Sequence, residues 1–231
     1  MVSSPLPSNV HVSRHPCLCA KLSQLRSYNA NARETKALIH EIALIVGCEA
    51  LAIGLETTSS GTDESALGYT YTTTGISPAR LALVPILRSG LGMVDALQTL
   101  LPYPVPVHHV GLFREPTSLQ PVEYYNNLPC HRPSSPSTES AAADLAILID
   151  PVIATGGTAV AAIQTLKEWG VKKIILISVL GSADGTRRAA EEWKEGVEIW
   201  VGGMDDSCDD RGMIKPGLGD VGDRLFLTIG K

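Results

Sequence analysis

Few cysteines and no long apolar run are the first features of this 231-residue sequence. The five cysteines, at positions 17, 19, 48, 130 and 208, include no Cys-x-x-Cys pair, which argues against a disulfide framework and against a zinc site. No apolar run approaches the ~18 residues that a membrane-spanning helix needs, and the N-terminus lacks the apolar segment of a secretory signal. We therefore expect a reduced, cytoplasmic protein with no membrane partner.

An excess of positive charge is also absent. The sequence has 19 Lys and Arg against 24 Asp and Glu, with a formal net charge of −5 and a pI of about 5.7. Because nucleic-acid affinity depends on clustered basic side chains, this balance argues against a nucleic-acid partner. Hydrophobic residues make up 44% of the chain, which is enough for a buried core, and the length fits a single domain over residues 1–231.

The apolar pattern predicts an α/β fold. Short continuous apolar runs alternate with helical periodicity, which is typical of a parallel sheet with helices on both faces. The predicted strands are 81–87, 105–113, 145–149, 172–180 and 197–203, and the predicted helices are 31–47, 91–101, a segment ending near Glu168, and 184–195. Thr and Tyr at 69–74 indicate an exposed strand or hairpin arm. Composition predicts an extended arm over 1–16, a loop over 57–68, a mobile loop over 130–144 and a long loop region over 204–224.

The stretch 147–166, ILIDPVIATGGTAVAAIQTL, ends a buried strand with Asp150 and then turns through two glycines into a helix. Gly156 and Gly157 let backbone N–H groups approach a ligand closely, and the flanking threonines add hydroxyl donors. Together with the positive N-terminus of the helix they predict a site for a phosphate monoester. Asp150 can accept hydrogen bonds from sugar hydroxyls. An ordinary strand-to-helix turn with Thr158 as N-cap would have the same sequence.

Two arginines each follow a predicted strand directly. Arg88 precedes the turn SGLG, and Arg114 follows VGLF. Because α/β proteins bind ligands at the carboxyl ends of their strands, the two could clamp a diphosphate, with surface ion pairs as the alternative. Residues 211–226, RGMIKPGLGDVGDRLF, predict a rigid loop whose backbone can read a flat heterocycle, with a surface turn as the alternative.

Four stretches occur in the order VPILRSGLGMVDAL, GLFREPTSLQPVEYYNNLP, IDPVIATGGT and PGLGDVGDRLF. In combination they closely resemble the uracil phosphoribosyltransferase family, over most of the chain. The resemblance implies a type I phosphoribosyltransferase fold, a parallel central sheet flanked by helices, with a small hood from the chain ends. It also implies a reaction of pyrimidine salvage, in which uracil and 5-phospho-α-D-ribose 1-diphosphate (the ribosyl donor) give UMP and diphosphate with Mg²⁺.

The resemblance also assigns roles to matching positions. Arg88 and Arg114 match the diphosphate-binding arginines, and with Asp220 they are the expected catalytic residues. The other residues expected to bind the ribosyl donor are Asp150, Pro151, Val152, Ile153, Ala154, Thr155, Gly156, Gly157 and Thr158. Uracil is expected on the backbone of Ile214, Gly219, Asp220 and Val221. Asp220 is expected to meet Mg²⁺ indirectly, through an ion that the substrate carries.

Some positions depart from the family pattern. Residues 181–185 read Gly-Ser-Ala-Asp-Gly where the family has Ala-Ala-Pro-Glu-Gly, and Met213 stands where a Tyr is usual. These departures leave open an alternative of another class, a non-catalytic relative that binds the ribosyl donor or UMP as a sensor or partner subunit. The resemblance further implies a homo-oligomer and leaves GTP as a candidate effector.

Overall fold

Fourteen strands and six helices make up the part of the chain that the computed structural model describes, residues 5–115, 120–129 and 142–228, with Arg114 described in its backbone only. The strands are β1 (Val10–Val12), β2 (Glu56–Glu64), β3 (Thr70–Ser77), β4 (Leu81–Leu87), β5 (Val110–Arg114), β6 (Pro121–Asn126), β7 (Leu145–Ile149), β8 (Val152–Ile153), β9 (Lys173–Ser178), β10 (Leu180–Ser182), β11 (Val197–Val201), β12 (Met204–Asp205), β13 (Ser207–Cys208) and β14 (Ile214–Lys215). The helices are α1 (Pro16–Leu25), α2 (Ala32–Gly54), α3 (Leu91–Leu100), α4 (Gly157–Trp169), α5 (Ala183–Glu192) and α6 (Val221–Phe226).

A seven-stranded sheet lies at the centre, with the strand order β1-β11-β9-β7-β4-β5-β6. Every neighbouring pair runs parallel except the last, in which β6 lies antiparallel to β5. The carboxyl ends of the parallel strands therefore meet along one edge of the sheet, which is where the predicted phosphate turn and Arg88 lie.

Strand β7 shows why helices cover both faces of this sheet. All five of its residues are buried. Leu145, Ile147 and Ile149 pack in the core cluster that includes α1, α2 and α3. Ala146 and Leu148 pack in a second cluster that includes α4 and α5. Because successive side chains of a strand point to opposite faces, an uninterrupted apolar strand requires apolar cover on both. The predicted parallel sheet flanked by helices is thus confirmed.

Helix α2 extends to Gly54, beyond the helix that the sequence predicts over 31–47. By length and composition alone it could cross a membrane, since its 23 residues contain an 18-residue window with a mean hydropathy of 1.8. In the fold, Ile39, Ile42 and Val46 are fully buried in the core, so α2 packs as a core helix. A capping box fixes its start, because the Asn31 side chain accepts the Glu34 N–H and the Glu34 side chain accepts the Asn31 N–H.

The predicted loop over 57–68 is wrong for 57–64 and right for 65–68, which form a turn. Residues 56–64 form β2, which pairs antiparallel with β3 in a hairpin whose β2 residues are all exposed. The Ser, Thr and Gly composition that suggests a loop also suits an exposed strand, because β-branched Thr favours extended backbone. A hydrogen bond of 2.9 Å between the Ser60 and Thr73 hydroxyls joins the two strands. The predicted strand or arm over 69–74 corresponds to β3.

The predicted strand over 105–113 starts too early. The regular strand β5 begins at Val110, and the preceding residues meet β4 at a single bridge between Leu83 and Val107. Prolines 104 and 106 account for the late start, because proline lacks the N–H that a sheet ladder needs. Strand β6 was not predicted.

Both chain ends are more ordered than composition suggests. The N-terminal arm contributes β1, which adds to the edge of the sheet beside β11, and α1 was not predicted. The C-terminal loop region contains β12, β13, β14 and the start of α6. The Arg26 guanidinium pairs with Asp205, and Arg224 donates to the Leu25 carbonyl, so the two chain ends contact each other as the expected hood requires. Most of the predicted mobile loop at 130–144 lies outside the described residues, and Ala142 and Ala143 are buried.

Asp144 ties three strands together at their amino ends. Its carboxylate accepts two hydrogen bonds from Arg80, of 2.9 and 3.0 Å, and lies 2.8 Å from the Lys172 ammonium. These bonds hold the pKa of the Asp144 carboxyl well below its usual range. A carboxyl whose pKa is lower in the folded than in the unfolded chain stabilises the fold. This stabilisation is complete above the ordinary pKa near 4 and is lost as the pH falls from there toward the folded pKa.

We expect Asp144→Asn to lower the free energy of unfolding by about 1 kcal/mol at pH 7. The deficit should shrink as the pH falls below about 4, because the unfolded chain then takes up a proton on Asp144 while the folded carboxylate, with its lower pKa, is still charged. Urea unfolding at pH 7 and pH 3 measures both effects, with Asp95→Asn on the exposed side of α3 as the control. A deficit that is the same at both pH values would contradict the ion-pair explanation.

Candidate functional site

A cavity of about 300 Å³ opens at the carboxyl ends of β4 and β7. Its walls come from four parts of the chain: the end of β4 and the turn after it, the paired strands β5 and β6, the turn after β7, and the segment around α6. The predicted site residues that line it are Arg88, Asp150, Val152, Ile153, Ala154, Thr155, Gly156, Thr158, Ile214, Gly219, Asp220 and Val221. The structure thus brings together residues that lie up to 133 positions apart in the sequence.

The turn after β7 carries the predicted phosphate site into α4. Gly156 is the N-cap of this helix and has a φ of 79°, a conformation that side chains other than glycine rarely adopt. The backbone N–H groups at the start of a helix favour an anion. Pro151 and Gly157 do not line the cavity. The Pro151 carbonyl instead accepts the N–H groups of Val179 and Leu180, and Gly157 is buried in the first turn of the helix.

Asp150, at the end of β7, is held by a residue that follows the adjacent strand β4. The Ser89 hydroxyl donates a hydrogen bond of 3.1 Å to its Oδ1 atom, and the carboxylate is almost entirely buried. Ser89 follows Arg88 at the end of β4, so the two turns fix each other. This contact places a carboxylate beside the phosphate turn, where it can accept hydrogen bonds from a sugar.

Two residues that sequence reasoning missed support the phosphate turn from behind. The Ser182 hydroxyl donates a hydrogen bond of 2.5 Å to the Ala154 carbonyl and also accepts the Gly185 N–H as the N-cap of α5. A Cβ at Gly185 would overlap the Ala154 carbonyl, and a Cβ at Gly156 would overlap the Gly185 carbonyl. The two backbones therefore pack directly against each other. In the sequence, Ser182 three residues before Gly185 could have indicated the helix cap. It could not indicate the contact with Ala154, which lies 28 residues away.

Arg88 projects from the end of β4 toward the C-terminal segment. Its guanidinium donates to the Thr228 hydroxyl at 3.0 Å and lies 3.5 Å from the Asp223 carboxylate. The side chain is about half exposed, so it remains accessible from the cavity. The other predicted arginine, Arg114, ends β5, but its side chain lies outside the described part of the chain.

The C-terminal wall of the cavity is a loop that runs from Met213 into α6. Asp220 caps α6 by accepting the Asp223 N–H at 2.9 Å. Asp209 closes the turn before the loop by accepting the Met213 N–H at 2.8 Å, and this bond is the main cause that holds the Asp209 pKa below its usual range. Met213 itself lines the cavity. Within the described ranges, no cluster of three or more His, Cys, Asp or Glu side chains could hold a metal ion.

A sequence model of the uracil phosphoribosyltransferase family matches residues 12–228 of the chain. The chain belongs to the uracil phosphoribosyltransferase family. A uracil phosphoribosyltransferase from Desulfitobacterium hafniense is 39% identical over 221 residues, which are 96% of this chain and 99% of that protein. A uracil phosphoribosyltransferase from Roseiflexus castenholzii is 40% identical over 220 residues, with 95% and 98% of the two chains covered.

A solved structure shares the whole arrangement of this family member. The AQ2163 protein from Aquifex aeolicus superposes with a TM-score of 0.81 and 28% sequence identity, covering 95% of this chain and 98% of that chain. The predicted family is therefore confirmed by sequence comparison, and the fold of nearly the entire chain is that of a known protein.

The contact between Gly156 and Gly185 generates a stability prediction. Gly156→Ala should cost about 1 kcal/mol for the left-handed backbone and a further ~1–3 kcal/mol for the overlap with the Gly185 carbonyl. The matched control is Gly68→Ala, because Gly68 has a similar φ of 81° but only a side-chain oxygen 3.5 Å from the added Cβ. Chemical unfolding measures both variants. Equal losses would show that the backbone contact does not constrain the turn.

Proposed function

We propose that the protein is a uracil phosphoribosyltransferase that converts uracil and the ribosyl donor to UMP and diphosphate in pyrimidine salvage. The observation that carries this proposal is the convergence of the phosphate turn, Arg88 and the 213–221 loop on one cavity. In the reaction, a bond forms between N1 of uracil and C1 of the ribose, and the bond from C1 to the diphosphate oxygen breaks. The N1 proton leaves to solvent.

The site residues suit the two ends of the ribosyl donor. The 5-phosphate would lie on the backbone N–H groups at 155–158, where the start of α4 favours negative charge. Asp150 would accept hydrogen bonds from the ribose hydroxyls. Arg88 would bind the diphosphate, whose negative charge grows as the bond to C1 breaks, and a fixed cation there lowers the barrier. Arg114 would add a second guanidinium at the end of the neighbouring strand.

Magnesium would enter with the diphosphate. Mg²⁺ commonly binds one or two carboxylates together with substrate phosphates, and the carboxylate of Asp220, which lines the cavity together with that of Asp150, fits that arrangement better than a site made by the protein alone. When bound, the ion would neutralise charge on the departing diphosphate. Asp220 would orient it while remaining fixed as the N-cap of α6.

The base would be read by the backbone of the 214–221 loop. Ile214 and Val221 are buried and fix the two ends of this loop, and Gly219 adopts a φ of 69° between them. A fixed loop can present N–H to a carbonyl oxygen of uracil and C=O to its N3–H. Cytosine has an amino group and an unprotonated N3 at those positions, so both polarities are reversed. The loop would therefore select uracil without a selective side chain.

The non-catalytic alternative keeps the same ligands but lacks turnover. A sensor or partner subunit would bind the ribosyl donor with Mg²⁺ and raise the melting temperature, yet form no UMP. Formation of UMP from uracil and the ribosyl donor, followed by chromatography, separates the two. Ser182 and Gly185 support the phosphate turn in either case. The retained Arg88 favours the enzyme, because its charge suits a departing diphosphate.

We also propose that the protein is a cytoplasmic homo-oligomer. The support is the β2–β3 hairpin, whose first strand is exposed along its full length, because two-stranded hairpins are marginally stable alone. Light scattering coupled to size exclusion measures the mass, and a 24.5 kDa monomer would contradict the proposal. The GTP effector stays a prediction of the family resemblance.

Arg88→Ala should lower kcat about 10²-fold while the melting temperature changes little, because the side chain is half exposed and acts on the leaving group. Steady-state turnover and thermal unfolding measure the two effects. The control is Arg187→Ala on α5, whose guanidinium pairs with Asp184 and does not line the cavity. Near-normal turnover of the Arg88 variant would show that this arginine is a surface residue.

Uracil should be strongly preferred over cytosine, because each reversed polar contact costs about 1–3 kcal/mol when buried. Met213→Tyr should change the KM for uracil only modestly, since the backbone supplies the hydrogen bonds. Parallel assays with both bases, and with both proteins on uracil, test these expectations. Comparable use of both bases would contradict backbone reading. A large gain of activity in the Tyr variant would favour the non-catalytic alternative.

A further inference from the structure

The loop that would read the base has little regular structure of its own. It follows the two-residue strand β14, and Gly217 adopts a φ of 64° at which an added Cβ would overlap the Ile214 carbonyl. Leu218 and Gly219, the next residues, line the cavity. The orientation of its backbone groups therefore depends on hydrogen bonds from residues outside the loop.

Two such bonds meet at Gly217. Its N–H donates to the Asp205 Oδ2 atom at 3.0 Å, and its carbonyl accepts from the Arg26 guanidinium at 3.0 Å. Both backbone groups of one residue are thus held by side chains from distant elements. Arg26 lies just after α1, and Asp205 ends β12.

Arg26 and Asp205 also bind each other. Their two parallel hydrogen bonds measure 2.7 and 2.8 Å, and the Asp205 side chain is only 8% exposed. A bidentate pair fixes orientation as well as distance. The partners are 179 residues apart in sequence, so the pair joins the two ends of the chain. Arg26 and Asp205 do not line the cavity.

A second arginine holds the adjacent residue of the loop. The Arg224 guanidinium donates to the carbonyls of Leu218 and Leu25, both at 2.8 Å, and to the Ser27 carbonyl at 3.2 Å. Burial lowers the pKa of Arg224 from its ordinary value. The segment around the end of α1 is therefore joined to two successive carbonyls of the loop. Arg26 binds the Gly217 carbonyl directly, and Arg224 binds the Leu218 carbonyl together with the carbonyls of Leu25 and Ser27.

We propose that Arg26 and Asp205 are positioning residues that set the affinity for the base through Gly217. This inference rests on the proposed function and names residues that act on the base and not on the ribosyl donor. Loss of the pair would let the Gly217–Gly219 backbone rotate, which misdirects its donors and acceptors toward the base. The phosphate turn belongs to β7 and α4 and would keep its position.

The test is a comparison of KM values for the two substrates. Arg26→Met keeps the apolar stem and removes the guanidinium, so the KM for uracil should rise at least about tenfold and the KM for the donor by less than about threefold. Asp205→Asn keeps an oxygen that can accept the Gly217 N–H, and its effect on uracil should be smaller than that of Asp205→Leu. Arg26→Lys, which keeps the charge, covers the case in which Arg26→Met does not fold.

The matched control is Arg80→Met. Arg80 makes a similar bidentate pair with Asp144, but at the amino ends of the strands and outside the cavity. This variant should lower the melting temperature and leave both KM values unchanged. A parallel rise of both KM values in the Arg26 variants, or an unchanged KM for uracil, would overturn the positioning role alone. Absence of UMP formation by the natural protein would overturn the proposed function and this inference with it.

Discussion

Burial of the central strands on both faces is the constraint on which the rest of the structure depends. Strands β4, β7 and β9 consist almost entirely of apolar residues, so helices must cover the sheet on each side. Polar chemistry is then confined to the ends of the strands. Parallel strands place their carboxyl ends on one edge, and Arg88 and Asp150 both lie there. The position of the site follows from the composition of the strands before any ligand is considered.

Tight backbone packing and long-range side-chain hydrogen bonds support the walls of the cavity at the edge of the sheet. Gly156 and Gly185 allow the phosphate turn to rest on the start of α5 with no side chain between them. On the opposite wall, the Arg26–Asp205 pair fixes Gly217. One wall would bind the donor and the other the base, and each is supported by residues outside the cavity. The residues at 181–185 depart from the family pattern but keep Gly185, whose backbone packs against the phosphate turn.

The features that could be predicted from the sequence are local ones. The apolar run of β7, the following acid and the two glycines of the turn are contiguous, so periodicity and turn chemistry locate them. Arg88 was predictable because it directly follows a strand. Ser182, Arg26 and Asp205 could not be found in this way, because the Ser182–Ala154, Arg26–Asp205 and Arg26–Gly217 bonds span 28, 179 and 191 residues and exist only in the folded chain. The loop predicted at 57–68 failed over 57–64 for a different reason, since Thr suits an exposed strand as well as a loop.

The central claim is that one cavity holds the phosphate on the turn after β7 and the base on the loop after β14. A crystal structure of the protein with UMP tests it most directly. The account predicts phosphate oxygens within about 3 Å of backbone nitrogens at 155–158, with uracil paired to backbone groups of the 214–221 loop. A nucleotide bound with its phosphate elsewhere, or a base recognised by side chains away from that loop, would contradict it.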